Sequence, residues 1–235
     1  MCRIAGYVGD SREDLEKLVD GLRWASRNDT TSGKLVVHGD GWGYAVYSDL
    51  GRFSYRTQKA IFEDKMDLHE TRGKIYAILH ARKASPGYKA EEKSSHPFFG
   101  ETKDSFVYFA HNGSLDDEVL RRLTGLDGDA IDSELAFRYM LQIGIFPAAS
   151  ELEKYVKPNS ALNLLVLEMR KGGGAEVYVK NYYAKDGTDR DMTKYYQILR
   201  QDMDGGKAAF SSTFNDSHFK GKSLGRDGLI PLSQL

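Results

Sequence analysis

The chain has 235 residues, 40% of them hydrophobic and 29% charged, with a net charge of −1 and one cysteine. That length suits a single domain with a sizeable core, here taken as residues 1–235. The balanced charge offers no basic surface to nucleic acid or to an anionic membrane, and one cysteine excludes an internal disulfide framework. No apolar run approaches the ~18 residues of a membrane span. The acidic residues Asp10, Glu13 and Asp14 stand where a secretory leader would need apolar sequence, so a cytoplasmic protein is expected.

Residues 3–9 are apolar and β-prone, and read as a strand. Ser11 has the chemistry of an N-cap, and Leu15, Leu18, Val19 and Leu22 recur at helical spacing, so a helix is predicted to about residue 27. The polar stretch 28–40 is turn-rich. Residues 42–47 and 52–55 read as strands around Ser48-Asp49-Leu50-Gly51, followed by a charged helix over 61–72 and a strand over 74–81. The long polar loop 82–105 marks a place for function, because such loops are uncommon inside compact domains. A strand over 106–110 ends on His111-Asn112-Gly113, and helices follow over 116–123, 133–143 and 147–156. The last third reads as strands over 161–169, 175–183, 195–200 and 208–212, the first two joined by a turn at Gly172-Gly173-Gly174. No helix or Lys-Ser/Thr pair follows that glycine run, so it is not a phosphate loop. Strands, then helices, then strands predict an α+β fold with antiparallel sheets covered by helices.

Cys2 is the chemically most informative residue. Removal of Met1 would give it a free α-amine, whose pKa of about 7.7–8.0 lies close to that of a thiol at about 8.5. Nucleophile and base would then share one residue. Three later segments carry matching chemistry. Arg82 can fork onto a carboxylate. The Asn112 side-chain amide and the Gly113 backbone N–H can form an oxyanion hole. Asp132 can cap a helix and also receive an ammonium group. Each alone has an ordinary reading as a surface charge, a hairpin turn or a helix cap. Together they describe an amino acid with a side-chain amide, and glutamine fits.

The ordered set Met1-Cys2-Arg3-Ile4-Ala5-Gly6, Asp40-Gly41-Trp42-Gly43, His80-Ala81-Arg82-Lys83-Ala84-Ser85, His96-Pro97, His111-Asn112-Gly113 and Asp132-Ser133-Glu134 resembles the class II glutamine amidotransferases, which are N-terminal-nucleophile hydrolases. The resemblance covers about the first 140 residues and is closest to small stand-alone glutaminase-domain proteins. It implies a four-layer αββα sandwich with Cys2 opening a central strand. It also implies Cys2 as nucleophile, its amine as base, and Asn112 with Gly113 as oxyanion hole. Arg82 would bind the substrate carboxylate with help from Ser85, and Asp132 the substrate ammonium. L-glutamine would be the substrate, a separate synthase the acceptor of ammonia, and no cofactor or metal would be needed. Lys83 departs from the bulky aromatic that some relatives carry there.

His80, His96 and His111 lack the H-x-x-H or H-E-x-x-H spacing of zinc sites and read as structural. Trp42 reads as core or pocket wall, and Tyr182-Tyr183 and Tyr195-Tyr196 as sheet faces. Two other functions stay open at this level: an N-terminal-cysteine amidase acting on another amide, and a non-catalytic regulatory module with the same fold.

Overall fold

Every residue of β1 (Arg3–Gly9) is buried, which marks a strand covered on both faces. The computed structural model describes residues 2–84, 92–184, 192–225 and 228–235. Helix α1 (Arg12–Asn28) follows, with the Ser11 hydroxyl accepting from the Asp14 N–H at 3.2 Å. The Leu15, Leu18, Leu22 and Ala25 stripe of α1 is fully buried. Next come β2 (Trp42–Ser48), β3 (Gly51–Thr57), β4 (Ile75–Ala81), β5 (Phe98–Glu101) and β6 (Ser105–Gly113). Three helices follow, α2 (Asp117–Thr124), α3 (Asp132–Ile143) and α4 (Ile145–Glu151). The remainder is β7 (Ser160–Arg170), β8 (Ala175–Lys180), β9 (Tyr183–Ala184), α5 (Thr193–Tyr196), β10 (Ile198–Met203), β11 (Gly206–Ser211), β12 (Lys222–Ser223) and β13 (Ile230–Pro231).

The strands form two antiparallel sheets, ordered β12-β10-β11-β1-β4-β2-β3 and β13-β8-β7-β6-β5. Ile4, Val8 and Ile78 of the first sheet meet Leu165, Leu167 and Val177 of the second in a shared core. Helix α1 packs on the outer face of the first sheet through Leu15, Leu18 and Leu22 against Tyr7, Tyr44 and Phe210. Helices α2, α3 and α4 cover the second sheet through Leu120, Leu135, Phe137 and Ala148 against Phe109, Leu164 and Val166. Helix, sheet, sheet, helix is the αββα order expected. Among the described residues no helix is long and apolar enough to cross a membrane.

Three local expectations are corrected and one ordinary reading, the hairpin turn at Asn112-Gly113, is set aside. Residues 61–72 form no helix beyond a short turn. Met66 and Leu68, two apart, tuck against the core, which is strand-like spacing. The 82–105 loop contains β5, a four-residue strand after Pro97 that is too short to show a period. Asn112-Gly113 is no hairpin turn but the paired end of β6, opposite Asn163 and Leu162 of β7. Tyr195-Tyr196 closes the short helix α5 rather than opening a strand.

Gly6 packs closely against the second sheet, since a Cβ there would sit 3.0 Å from Leu165 Cδ2. Leu165→Ala should leave a cavity at that contact and cost about 2–5 kcal/mol. The check is a lowered urea midpoint at unchanged m-value.

Candidate active site

β1 and β2 begin, and β4 ends, at one end of the first sheet, where Arg3 and Trp42 both face Ala81 in register. β6 ends and β7 begins at the same end of the second sheet, with Gly113 opposite Leu162. Cys2 sits between the two ends. Its N–H donates to Asn112 Oδ1 at 2.8 Å, joining the sheets, and its Sγ lies 3.8 Å from the Lys83 carbonyl oxygen. Cys2 is 9% exposed and Asn112 1%. With Oδ1 engaged by Cys2, the Asn112 Nδ2 group is buried and has no hydrogen-bond partner among the described residues. An amide donor left unpaired inside a protein costs about 1–3 kcal/mol, so it calls for a functional account.

Gly113 has φ +155, and a Cβ there would fall 1.7 Å from the Ala161 carbonyl oxygen. Only glycine lets β6 close onto β7 at this point. Arg82 follows β4 and is buried. Its backbone N–H donates to the Gly41 carbonyl at 2.8 Å, and its Nη1 lies 3.5 Å from the Asp40 carbonyl. Asp40 Oδ2 accepts from the Ala84 N–H at 2.9 Å and pairs with Lys83 Nζ at 3.5 Å. The Asp40-Gly41 turn thus braces the segment that carries Arg82. A Cβ on Gly41, whose φ is +129, would meet Ser95 Oγ at 2.4 Å. Trp42 is core, its Nε1 donating to Asp64 at 2.8 Å.

Asp132 is not the cap of α3. Ile131 holds the cap position, and Asp132 is the first helical residue. Its Oδ2 accepts from the Leu115 N–H at 2.9 Å and its Oδ1 from the Ser133 N–H at 2.8 Å. These bonds fix the carboxylate beside the chain that leaves β6, and an ionised carboxylate retains further acceptor sites. Ser85 lies outside the described residues. The structure therefore brings Cys2, Asn112 and the Arg82–Lys83 segment together, with Gly113 on the same strand as Asn112. Asp132 is tied to that strand's exit rather than to Cys2.

Sequence reasoning missed the layer beneath Cys2. Arg3 is fully buried, donating to the Cys2 carbonyl at 3.0 Å and forming an ion pair with Asp29. Asp29 in turn binds His38, Thr31 and Thr213. The signal was present, because a guanidinium in an otherwise apolar buried strand requires a partner.

Residues 22–181, more than half the chain, match the family "Glutamine amidotransferases class-II". The chain belongs to this family. An uncharacterized protein of Methanocaldococcus jannaschii is 27% identical over 149 residues, which are 60% of this chain and 38% of that one. Among solved structures, the glutamine phosphoribosylpyrophosphate amidotransferase from B. subtilis superposes with a TM-score of 0.64 at 15% identity, over 98% of this chain and 48% of that one. A structure described as the allosteric regulatory enzyme of purine biosynthesis gives 0.62 at 17% identity, over 96% and 45%. At these identities the structures establish likeness of fold, and this chain spans less than half the length of any of these three proteins.

Within this amidotransferase fold the histidines form a buried group behind Asn112. The rings of His80 and His96 stack with centroids 4.1 Å apart. His80 Nε2 lies 3.3 Å from the His111 carbonyl, linking β4 to β6, and His111 Nδ1 lies 2.9 Å from the Ser133 hydroxyl. Burial pushes His80 down to about 3 and His96 well below its ordinary value. Burial likewise pushes His111 down, with the Asp132 charge opposing it. Burial takes His38 down to about 4 against the opposing hydrogen bond to Asp29.

These depressed values fix a pH dependence of stability. The unfolded chain takes up protons on histidine near pH 6.5, whereas the folded chain resists them until far lower pH. Stability should be level above about pH 6.5 and fall as the pH drops towards 4, by roughly 3 kcal/mol for His38 and as much for His80. Urea titrations at a series of pH values between 7.5 and 4.5 would show it as a steadily lower midpoint.

Proposed function

We propose that this protein hydrolyses L-glutamine to glutamate and ammonia through a γ-glutamyl thioester on Cys2, after Met1 has been removed. The observation that carries the reading is the Cys2–Asn112 contact. The oxygen of the Asn112 amide accepts from the Cys2 nitrogen at 2.8 Å, and the buried Nδ2 group has no hydrogen-bond partner among the described residues. A donor so poised beside a thiol suits an oxyanion that exists only during the reaction.

In this mechanism the Cys2 amine takes the proton of its own thiol, and the thiolate adds to the side-chain amide carbon of glutamine. Asn112 Nδ2 and the Gly113 N–H stabilise the oxyanion. The tetrahedral intermediate expels the amide nitrogen, which leaves as ammonia with the proton held by the Cys2 amine. Water, deprotonated by the same amine, then adds to the thioester. The second oxyanion uses the same donors, and its collapse returns the thiol and releases glutamate. Arg82 binds the substrate α-carboxylate, assisted by Ser85, and Asp132 binds the α-ammonium. Family membership supports the reaction class. We further propose that residues 1–235 act as one cytoplasmic glutaminase domain that passes ammonia to a separate synthase.

Protein made in a host competent for methionine removal should have the mass of a chain starting at Cys2. Full retention of Met1 with normal activity would exclude the amine as base. Asn112→Ala should preserve the fold and lower kcat about 10²–10³-fold with a smaller change in KM. Single-turnover rates equal to wild type would remove Asn112 from the oxyanion hole.

Arg82→Gln and Asp132→Asn should each lower kcat/KM for L-glutamine by about one to two orders of magnitude, since each removes a charge-assisted bond. The Arg82 variant should discriminate little between L-glutamine and its methyl ester, and the Asp132 variant little between L-glutamine and N-acetyl-glutamine. Wild-type protein that hydrolyses all three equally well is an amidase of broader scope, not a glutaminase.

A further inference from the structure

The Arg3 side chain is enclosed on every side that the structure describes. Nη1 donates to the Cys2 carbonyl at 3.0 Å. Nη2 pairs with the Asp29 carboxylate and lies 3.2 Å from the Thr31 hydroxyl. The guanidinium stacks over the Tyr195 ring, with Cζ 4.2 Å from its centroid. Asp29 is held as firmly, accepting from the Thr31 N–H and the Thr213 hydroxyl at 3.1 Å each and bonding His38 Nε2 at 2.8 Å. Arg3 and Asp29 are both 0% exposed. A buried ion pair of this kind adds little net stability compared with apolar residues of the same size. The pair therefore calls for a reason beyond stability.

Resting on the reading of Cys2 as nucleophile and base, we propose that Arg3 is a positioning residue for that base. Its guanidinium fixes the Cys2 carbonyl, and Asp29 balances the guanidinium charge beside Cys2. The carbonyl and nitrogen of Cys2 flank its Cα, with only the φ and ψ torsions between them. Anchoring the carbonyl to Arg3 and the nitrogen to Asn112 restrains both torsions, and the thiol lies 3.8 Å from the Lys83 carbonyl. The pair is electrically neutral as a unit. Burial alone would push the Asp29 carboxyl up, but the His38 hydrogen bond and the Arg3 charge hold it well below the usual carboxylate range. His38 is neutral at physiological pH and adds no charge of its own.

The other titratable groups packed around Cys2 come from three elements and the segment after β4. Tyr195 on α5 is raised by burial and stays neutral. His80 on β4 and His111 on β6 are pushed down by burial, while Arg82 and Lys83 follow β4. Removing one member of the Arg3–Asp29 pair therefore exposes Cys2 to a full unbalanced charge whose sign depends on which member is lost.

The experiment uses the mature full chain and the variants Arg3→Gln and Asp29→Asn. It follows kcat/KM for L-glutamine, and the rate of Cys2 alkylation by iodoacetamide without substrate, as functions of pH. The acid limb of both profiles should move down by about one pH unit in Asp29→Asn, where the guanidinium is uncompensated, and up by a similar amount in Arg3→Gln. A role in folding alone would lower amplitudes and leave the limbs in place, and that result overturns the proposal. If Arg3→Gln does not fold, the downward shift in Asp29→Asn is still required. A wild-type protein that does not hydrolyse glutamine refutes the glutaminase reading. Alkylation still tests Arg3 in that case, because the same opposed shifts are expected for the thiol.

Discussion

The hydrogen bond from the Cys2 N–H to Asn112 Oδ1 is the point on which the rest of this architecture turns. It joins the residue just before a central strand in one sheet to the far end of a central strand in the other, at the mouth of the sandwich. For it to form, β1 must be held in register between β4 and β11, and β6 must reach β7 without a side chain at Gly113. The bond also fixes which way the Asn112 amide faces, because its oxygen is committed to Cys2. The price is an unpaired Nδ2 group, a local cost that the surrounding ladders sustain.

Behind this contact the interior becomes polar. His80, next but one to Ile78, lies on the face that meets the other sheet, and His96 stacks on it. His111 faces Ser133 of α3, while below Cys2 an Arg–Asp–His chain links β1 to the end of α1. The aliphatic part of the core, around Ile4, Ile78 and Leu165, carries the cohesion of the two sheets. The molecule is therefore graded along its strands, from dry packing to a polar end, and the polar end is the one that holds Cys2.

Much of the fold was legible where the determinants are local. The Ser11 cap and the leucine spacing of α1, and the unbroken apolar run of β1, need no distant partner to be read. The segment over 61–72 was misread because its charged residues mimic a solvated helix. Met66 and Leu68 reveal their two-residue period only against the core. β5 was hidden by its length, and α5 by tyrosines that suit a strand equally well. At the site, Cys2, Arg82 and Asn112 announced themselves by chemistry. Asn112-Gly113 resembled a turn because a dipeptide carries no information about the strand opposite. Asp132 was assigned to a cap position that Ile131 occupies. Asp29 and His38 were invisible because nothing in their own neighbourhood signals a partner at residue 3.

The pairing of β1 with β11 has a consequence for the order of events during synthesis. Ala5 faces Phe210, so one flank of the first strand is supplied by sequence from the opposite end of the chain. The other flank, β4, is available much earlier. Until β11 is available to pair, β1 is the edge strand of its sheet. Closure of the sheet then seals Cys2 at the mouth of the sandwich. The topology thereby makes closure of the first sheet wait for a distant segment, a delay that a sheet closed from local hairpins alone would not have.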